Sequence, residues 1–310
     1  MAFGKVANVL LIAVHVCNAL FQSVGESDDI NWSLLPTTDC GQKVSNRISN
    51  DSMTFPFEYP WMVLLRYSWN GQMLDIGGGS LINHRYVLTA AHSVRTQGNM
   101  KLSKVRLGEH DRSKDIDCVV YANGEERCAD PPLDVDVEST VLHSEYKRSN
   151  RFQHDIALIR MAQDVAYSDS IKPICLPIRE DVRSKILPEY ILTGWSVTEQ
   201  TTPSRARLLQ RVLKHMSIPE SQRKLKENSI RSNVSEKYQM STGNVFQVDS
   251  CGDFSGAPLG FNVDLVGDRF VQYGIASSGV NSCIQRLSTV PAIYTRVSSY
   301  MNWIVKNMKP

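Results

Sequence analysis

The stretch GGSLINHRYVLTAA, residues 78–91, is a short β-rich run split by a turn, and it ends one residue before a histidine. Runs of the same kind recur along the chain: WMVLLRYSW (61–69), VDVESTVLH (135–143), DIALIRM (155–161), YILTGWSV (190–197), RFVQYGIASS (269–278) and AIYTRV (292–297). Regularly spaced short strands point to an all-β barrel or sandwich. The final stretch, SSYMNWIVKNM (298–308), places Tyr300, Trp303, Ile304 and Met308 at helical intervals. That spacing predicts a C-terminal helix packed on the barrel.

The chain has 310 residues, 42% of them apolar and 21% charged, with a formal net charge of +2. This size suits one large domain or two small ones. So small a net charge argues against nucleic acid as the main partner. The first residues, MAFGKVANVLLIAVHVCNALFQS, put one lysine before an apolar run and small residues after it. That order reads as a secretory signal peptide over 1–22, not a membrane anchor, and no other apolar run is long enough to span a bilayer. Residues 23–47 read as an exposed tether and 48–310 as the folded domain.

Secretion implies an oxidising compartment. After the leader, six cysteines remain: Cys40, Cys118, Cys128, Cys175, Cys251 and Cys283. Six allow fifteen pairings, and spacing alone does not choose among them. None lies in a CxxC or a Cys/His cluster with zinc spacing, so disulfides are expected and no metal ligand is. Sequons at Asn31, Asn50 and Asn233 suit a glycosylated, secreted surface.

Two charged stretches stand apart. Residues 205–231 carry Arg205, Arg207, Arg211, Lys214, Arg223, Lys224, Lys226 and Arg231. They read as a solvated face or as a site for an anionic partner. Residues 109–138 carry Glu109, Asp111, Glu125, Glu126, Asp130, Asp134, Asp136 and Glu138. They read as a solvated acidic loop, with a structural calcium near Glu109 as the alternative. No other cofactor is expected.

Three segments carry chemistry together. LTAAHSV sets His92 after a strand, FQHDIALIR sets Asp155 at the start of one, and DSCGDFSGAP (249–258) holds Ser255. A serine hydroxyl is a poor nucleophile at neutral pH. It needs an imidazole to accept its proton and a buried carboxylate to orient that imidazole. With these flanks and this order, the chain resembles the trypsin/chymotrypsin family from about Arg47 to Trp303. It is most similar to arthropod clip-domain serine proteases of clotting, melanisation and Toll cascades and to their non-catalytic homologues. LLPTTDCG (34–41), RLGEHD (106–111), DCVVYANGEERCADPP (117–132), IKPICLP (171–177) and TGWSVTE (193–199) carry that closer likeness. The six-cysteine clip module of those proteins is not expected, since too few residues precede Cys40.

The resemblance implies two six-stranded antiparallel β-barrels with a C-terminal helix, meeting near residues 163–175, with the site in the cleft between them. It implies Ser255 as nucleophile, His92 as base and Asp155 as the orienting carboxylate. Asp249, Gly279 and Ala292 would line the substrate pocket. Asp249 matches the acid that selects Arg and Lys, Ala292 replaces a pocket-wall glycine, and Ser278 replaces an aromatic that the substrate backbone lies against. It implies the disulfides Cys40–Cys175, Cys118–Cys128 and Cys251–Cys283, and cleavage at Arg47–Ile48. Two family bridges are missing with both halves gone: Gly77 and Ser93 stand at one pair of positions, Ser221 and Ser241 at the other. Protein substrates, proteases or pro-proteins of an extracellular cascade are the implied partners.

The pattern breaks at the nucleophile loop. Counted without a gap from Cys251 to Pro258, Asp253 sits where the family keeps an oxyanion-hole glycine, and Phe254 where it keeps an aspartate. In the family that aspartate pairs with the ammonium of the new N-terminus formed by activation cleavage, and the pair shapes the oxyanion hole. Ile-Ser-Asn-Asp (48–51) replaces the family's Ile-Val-Gly-Gly. An ammonium buried without a partner costs several kcal/mol. A carboxylate about 4 Å from a developing oxyanion repels it by roughly 4 kcal/mol at an effective dielectric near 20, near a thousandfold in rate. A shifted alignment, with a deletion before Asp253 and an insertion of Phe254, would keep Asp253 as the buried acid. Sequence alone leaves both alignments open. The expected function is therefore a secreted protease homologue that binds partners and cleaves weakly or not at all. The alternatives are an active endopeptidase cutting after Arg or Lys, and an anion-binding adhesion module built on residues 205–231.

Overall fold

The computed structural model describes residues 30–43, 54–95, 98–121, 123–147, 149, 153–195, 206–230, 233–243, 254–278 and 290–310. The chain divides into Met1–Trp32 and Ser33–Pro310, and everything below concerns the second unit. The leader, Arg47, Ile48, Asn50, Asp249, Cys251, Asp253, Gly279 and Cys283 lie outside the described residues.

Among the described residues, fourteen strands form the scaffold: β1 Met62–Trp69, β2 Gln72–Leu81, β3 Tyr86–Thr89, β4 Lys101–Leu107, β5 Cys118–Val120, β6 Glu126–Cys128, β7 Leu133–Leu142, β8 Ala157–Met161, β9 Glu189–Trp195, β10 Leu208–Met216, β11 Gln239–Thr242, β12 Pro258–Asp264, β13 Asp268–Ser278 and β14 Ala292–Arg296. Twelve close into two six-stranded barrels, β1-β2-β3-β8-β7-β4 and β10-β11-β14-β13-β12-β9, with antiparallel pairing within each. Closure leaves no strand edge to manage. It is driven by two apolar interiors. Val63, Leu65, Val87, Val105 and Ile159 fill the first; Tyr190, Leu192, Leu259, Tyr273 and Tyr294 fill the second.

On the outside of the first barrel, opposite charges face each other across strands. Lys104 opposes Asp136 and Arg106 opposes Asp134, with ion pairs at 2.6 and 2.8 Å. Arg66 opposes Asp75 at 2.8 Å. Such cross-strand pairs reinforce one register. Much of the acidic stretch is therefore paired with this barrel's own cations.

The passage between barrels is stitched by backbone. Lys172 and Ile174 donate to Pro60 and Leu81 in the first barrel, and Cys175 donates to Phe270 in the second. Cys40 is disulfide-bonded to Cys175, which ties residues 33–43 to this passage. Cys118 and Cys128 are bonded across the β5–β6 hairpin, where they oppose each other directly. The chain ends in a 3-10 turn, Val297–Tyr300, then a six-residue helix, Met301–Lys306. The helix is shorter than the periodic stretch suggested, though Tyr300, Ile304 and Met308 are buried as that spacing implies. Among the described residues, no helix is long and apolar enough to cross a membrane.

Candidate active site

Strand β3 is followed directly by a short helix, α1 Ala91–Val94, whose N-cap Ala90 offers no side-chain acceptor. The first N–H groups of a helix need partners from outside it. Here the backbone N–H of His92 donates to Asp155 Oδ1 at 2.9 Å. The same carboxylate reaches the ring: Asp155 Oδ2 lies 2.7 Å from His92 Nδ1. A carboxylate only accepts, so the imidazole proton sits on Nδ1 and the lone pair on Nε2. Asp155 is fully buried, while the His92 side chain keeps 28% of its surface. One group is withdrawn from water and the other is presented to the cleft.

Ser277 Oγ donates to Asp155 Oδ2 at 2.5 Å, and Thr295 Oγ1 donates to the Asp155 carbonyl at 2.8 Å. Ser277 is a positioning residue that the sequence reading missed. It stands beside Ser278 at the end of β13, and both are serines. Only strand alternation, which turns neighbouring side chains to opposite faces, distinguishes them.

Ser255 enters from the second barrel. Its carbonyl accepts from the Gly78 N–H at 2.8 Å, and Gly256 donates to Ala276 and Ala257 to Phe254, each at 2.9 Å. Gly256 has φ +76°. A Cβ there would lie 2.1 Å from Thr89 Oγ1 and 2.4 Å from the Gly78 carbonyl. Glycine is thus required for the Ser255 turn to come this close to the strand that delivers His92. Gly77 meets it from the other side: with φ +68°, its Cβ would stand 2.8 Å from the Ser255 carbonyl. The fold in this way brings the His92, Asp155 and Ser255 segments to one cleft.

Phe254, the residue before Ser255, is fully buried in the second barrel's core. Its ring lies so close to Gly194 that a Cβ on that glycine would stand 2.4 Å from Phe254 Cδ1. Ala292 is buried at the start of β14, and Ser278 is half-buried. Asn31 and Asn233 are exposed.

The paired positions behave differently. Ser221 Oγ and Ser241 Oγ are 2.9 Å apart, and Ser241 also donates to the Ala292 carbonyl at 3.1 Å. A hydrogen bond stands there, worth about 1 kcal/mol where a bridge typically contributes about 2–4. Ser93, one residue past His92, is buried, and its hydroxyl has no partner among the described residues. Tyr67 steadies that turn by donating to the Ser93 carbonyl at 2.6 Å.

The charged stretches meet each other. Arg207 pairs with Asp111 at 2.9 Å. On α3, which follows α2 Glu180–Arg183 and spans Ile218–Glu227, Arg223 pairs with Glu227 at 2.7 Å. These internal pairs take charge away from the anionic-partner reading. Near Glu109, the donor set does not suit calcium, which takes six to eight oxygens. One carboxylate oxygen of Glu109 faces Arg106 at 3.3 Å, and burial pushes its pKa up against the pull of Arg106. Asp117 Oδ2 is occupied by the N–H groups of His110 and Asp111. Glu109 Oε1 is the buried oxygen there with no partner. Guanidinium already supplies the positive charge.

Residues 48–304 match the protein-family model described as Trypsin. The chain is 38% identical over 283 residues to melanization protease 1 of Drosophila melanogaster, covering 89% of this chain and 69% of that protein. It is 37% identical over 294 residues to CLIP domain-containing serine protease B9 of Anopheles gambiae, covering 91% and 69%. Among solved structures, the Drosophila Grass clip serine protease of the Toll pathway aligns with a TM-score of 0.74 at 32% identity, covering 94% of this chain and 78% of that one.

Proposed function

We propose that this chain, which belongs to the trypsin family of serine proteases, is a secreted homologue in an extracellular protease cascade that acts mainly by binding and cleaves weakly or not at all. The observation that carries this reading is Phe254, whose ring is fully buried in the second barrel. In the family this position holds the carboxylate that receives the new N-terminal ammonium. Phe254 offers that ammonium a hydrocarbon wall, and a buried unpaired charge costs several kcal/mol. The usual coupling between cleavage at Arg47 and formation of the oxyanion hole is then cut. In sequence, Asp253 replaces the glycine whose N–H the family uses in that hole under the gapless alignment.

The roles are those the family likeness assigns. His92, held by Asp155 and Ser277, would take the Ser255 proton, and Ser255 would attack the carbonyl. What is missing is preorganised stabilisation of the oxyanion, whose loss typically costs about 10²–10³ in rate for a single donor. The intact His92–Asp155 pair favours a second reading, an active endopeptidase cutting after Arg or Lys. The implied partners are substrates, proteases or pro-proteins of the cascade.

The test uses secreted protein cut at Arg47 and checked by N-terminal sequencing. A fluorophosphonate probe is applied to wild type, to Ser255→Ala and to Asp253→Gly/Phe254→Asp. Labelling of the double variant alone supports the proposal. Labelling of wild type at Ser255 overturns it in favour of the endopeptidase.

A further inference from the structure

Behind the His92–Asp155 corner lies an aromatic cluster that the proposed chemistry does not use. His143 follows β7, whose last residue is Leu142, and His154 immediately precedes Asp155. Their imidazole rings stack with centroids 4.6 Å apart and planes 13° from parallel. The C-terminal segment packs on both. Tyr300 meets the His143 ring edge-on at 5.4 Å and the His154 ring edge-on at 5.9 Å, and the Trp303 ring lies 5.4 Å from His143. We propose that the His143–His154 stack is an acid-released latch that holds the Asp155 segment between the end of β7 and the C-terminal helix.

The hydrogen bonds fix the protonation state. The Glu145 N–H donates to His143 Nδ1 at 3.2 Å. A backbone N–H only donates, so this nitrogen accepts, and the neutral ring carries its proton on Nε2. A second proton can enter only at Nδ1, the atom that already receives a hydrogen bond. Protonation there turns an acceptor into a donor facing the Glu145 N–H, and the bond is lost. It also puts a cation into a half-buried stack of rings, where burial disfavours charge. Burial accordingly lowers the pKa of His143 below the ordinary histidine value; His154 lowers it further, and Glu145 pulls it back up. A base whose folded pKa is depressed contributes stability that is whole above its unfolded value, about 6.5. That stability is lost as pH falls through the lower folded value. The latch is therefore closed at neutral pH and opens in acid.

The other charged or titratable groups at the stack come from three elements. In the turn after β7, Glu145 Oε2 lies 3.6 Å from His154 Nε2, but the Glu145 side chain is 69% exposed, so water screens its attraction for a charged ring. In the C-terminal segment, Tyr300 Oη lies 3.0 Å from His154 Nδ1, and burial keeps that phenol neutral by raising its pKa. Before β11, the Tyr238 ring lies 4.9 Å from that of His154, and Lys237 Nζ stands 4.9 Å from the centre of the Tyr238 ring. Lys237 is a cation and opposes a second one nearby. Asp155 gives its own carboxylate to His92 and Ser277.

What the latch holds is the peptide on each side of Asp155. The His143 N–H donates to the Ile156 carbonyl at 3.2 Å, and the Ile156 N–H donates to the His154 carbonyl at 2.9 Å. His154 has φ +55°, a left-handed backbone that residues with side chains seldom adopt and that persists where the surroundings hold it. Opening the stack removes one of those holds, one peptide bond from the carboxylate that orients His92. The latch works on the catalytic corner without touching it, whether or not Ser255 reacts.

The experiment follows amide hydrogen exchange of the secreted full chain between about pH 7.5 and 5, the range in which histidine titrates, with the intrinsic pH dependence of exchange divided out. In wild type, exchange over 153–158 and 298–306 should rise about tenfold on acidification, while β1 keeps its protection. His143→Phe keeps a ring in the stack but has no proton to gain, and should show no rise. Glu145→Gln removes the one carboxylate that favours the charged ring and should move the rise to lower pH. It changes an exposed side chain and should fold normally, so it tests the latch even if His143→Phe does not fold. Near-UV circular dichroism at neutral pH checks each variant. A flat wild-type profile overturns the proposal, and so does a rise shared equally by β1. A rise that survives in folded His143→Phe, or that Glu145→Gln leaves in place or moves to higher pH, overturns it as well.

Discussion

The two sides of the cleft have been kept in different ways. Around Asp155, polar contacts persist: its carboxylate accepts from the His92 N–H, the His92 ring and Ser277, and its backbone carbonyl accepts from Thr295. Behind Ser255, the second barrel has exchanged polar or covalent links for others. The Phe254 ring is fully buried and the Ser221 and Ser241 hydroxyls meet at 2.9 Å; in the proposed reading they stand where the family keeps a charge and a disulfide. A buried carboxylate cannot lose one donor without leaving an unmet acceptor. A pocket that receives an ammonium only after cleavage is under no such constraint before it, and a well-packed ring satisfies it at once. One side is locked by its hydrogen bonds; the other is free to become apolar.

The largest effect should come from the ring. Phe254→Ala removes a fully buried phenyl and should lower stability by about 3–5 kcal/mol, read by denaturant unfolding. A loss below about 1 kcal/mol would mean that the ring does not hold the loop, and the contrast between the two sides would collapse. Next, Ser221→Cys/Ser241→Cys converts the 2.9 Å hydroxyl pair into a bridge. It should form without added oxidant during secretion and raise stability by about 3 kcal/mol. Free thiols in the secreted variant would show that the two positions do not stand as paired bridge positions. The smallest effect is expected at the polar corner. Ser277→Ala should cost about 1.5–3 kcal/mol, the range for a bond to a charged group. A loss under 0.5 kcal/mol would show that the Asp155 carboxylate is held by His92 alone.

Much of this was legible in the chain. The short β-rich runs at 61–69, 155–161 and 292–297 became β1, β8 and β14, because apolar and β-branched residues between turns suit strands. The C-terminal helix was overextended. The apolar spacing through Met308 reflects burial of the whole tail, whereas helical backbone stops at Lys306. The partners inside the charged stretches were not legible, because charge runs are local in sequence whereas Arg207 finds Asp111 ninety-six residues away.

Sequence by itself determined the family and the residue types of the three segments that carry chemistry, because these depend only on identity and order. Tertiary structure decided the rest: that the Phe254 ring lies inside the barrel against Gly194, that Ser277 rather than Ser278 serves Asp155, and that the Ser221 and Ser241 hydroxyls meet. The physical reason is the same each time. Hydrogen bonds and van der Waals contacts act over a few ångströms, and only barrel closure brings residues far apart in the chain within that range.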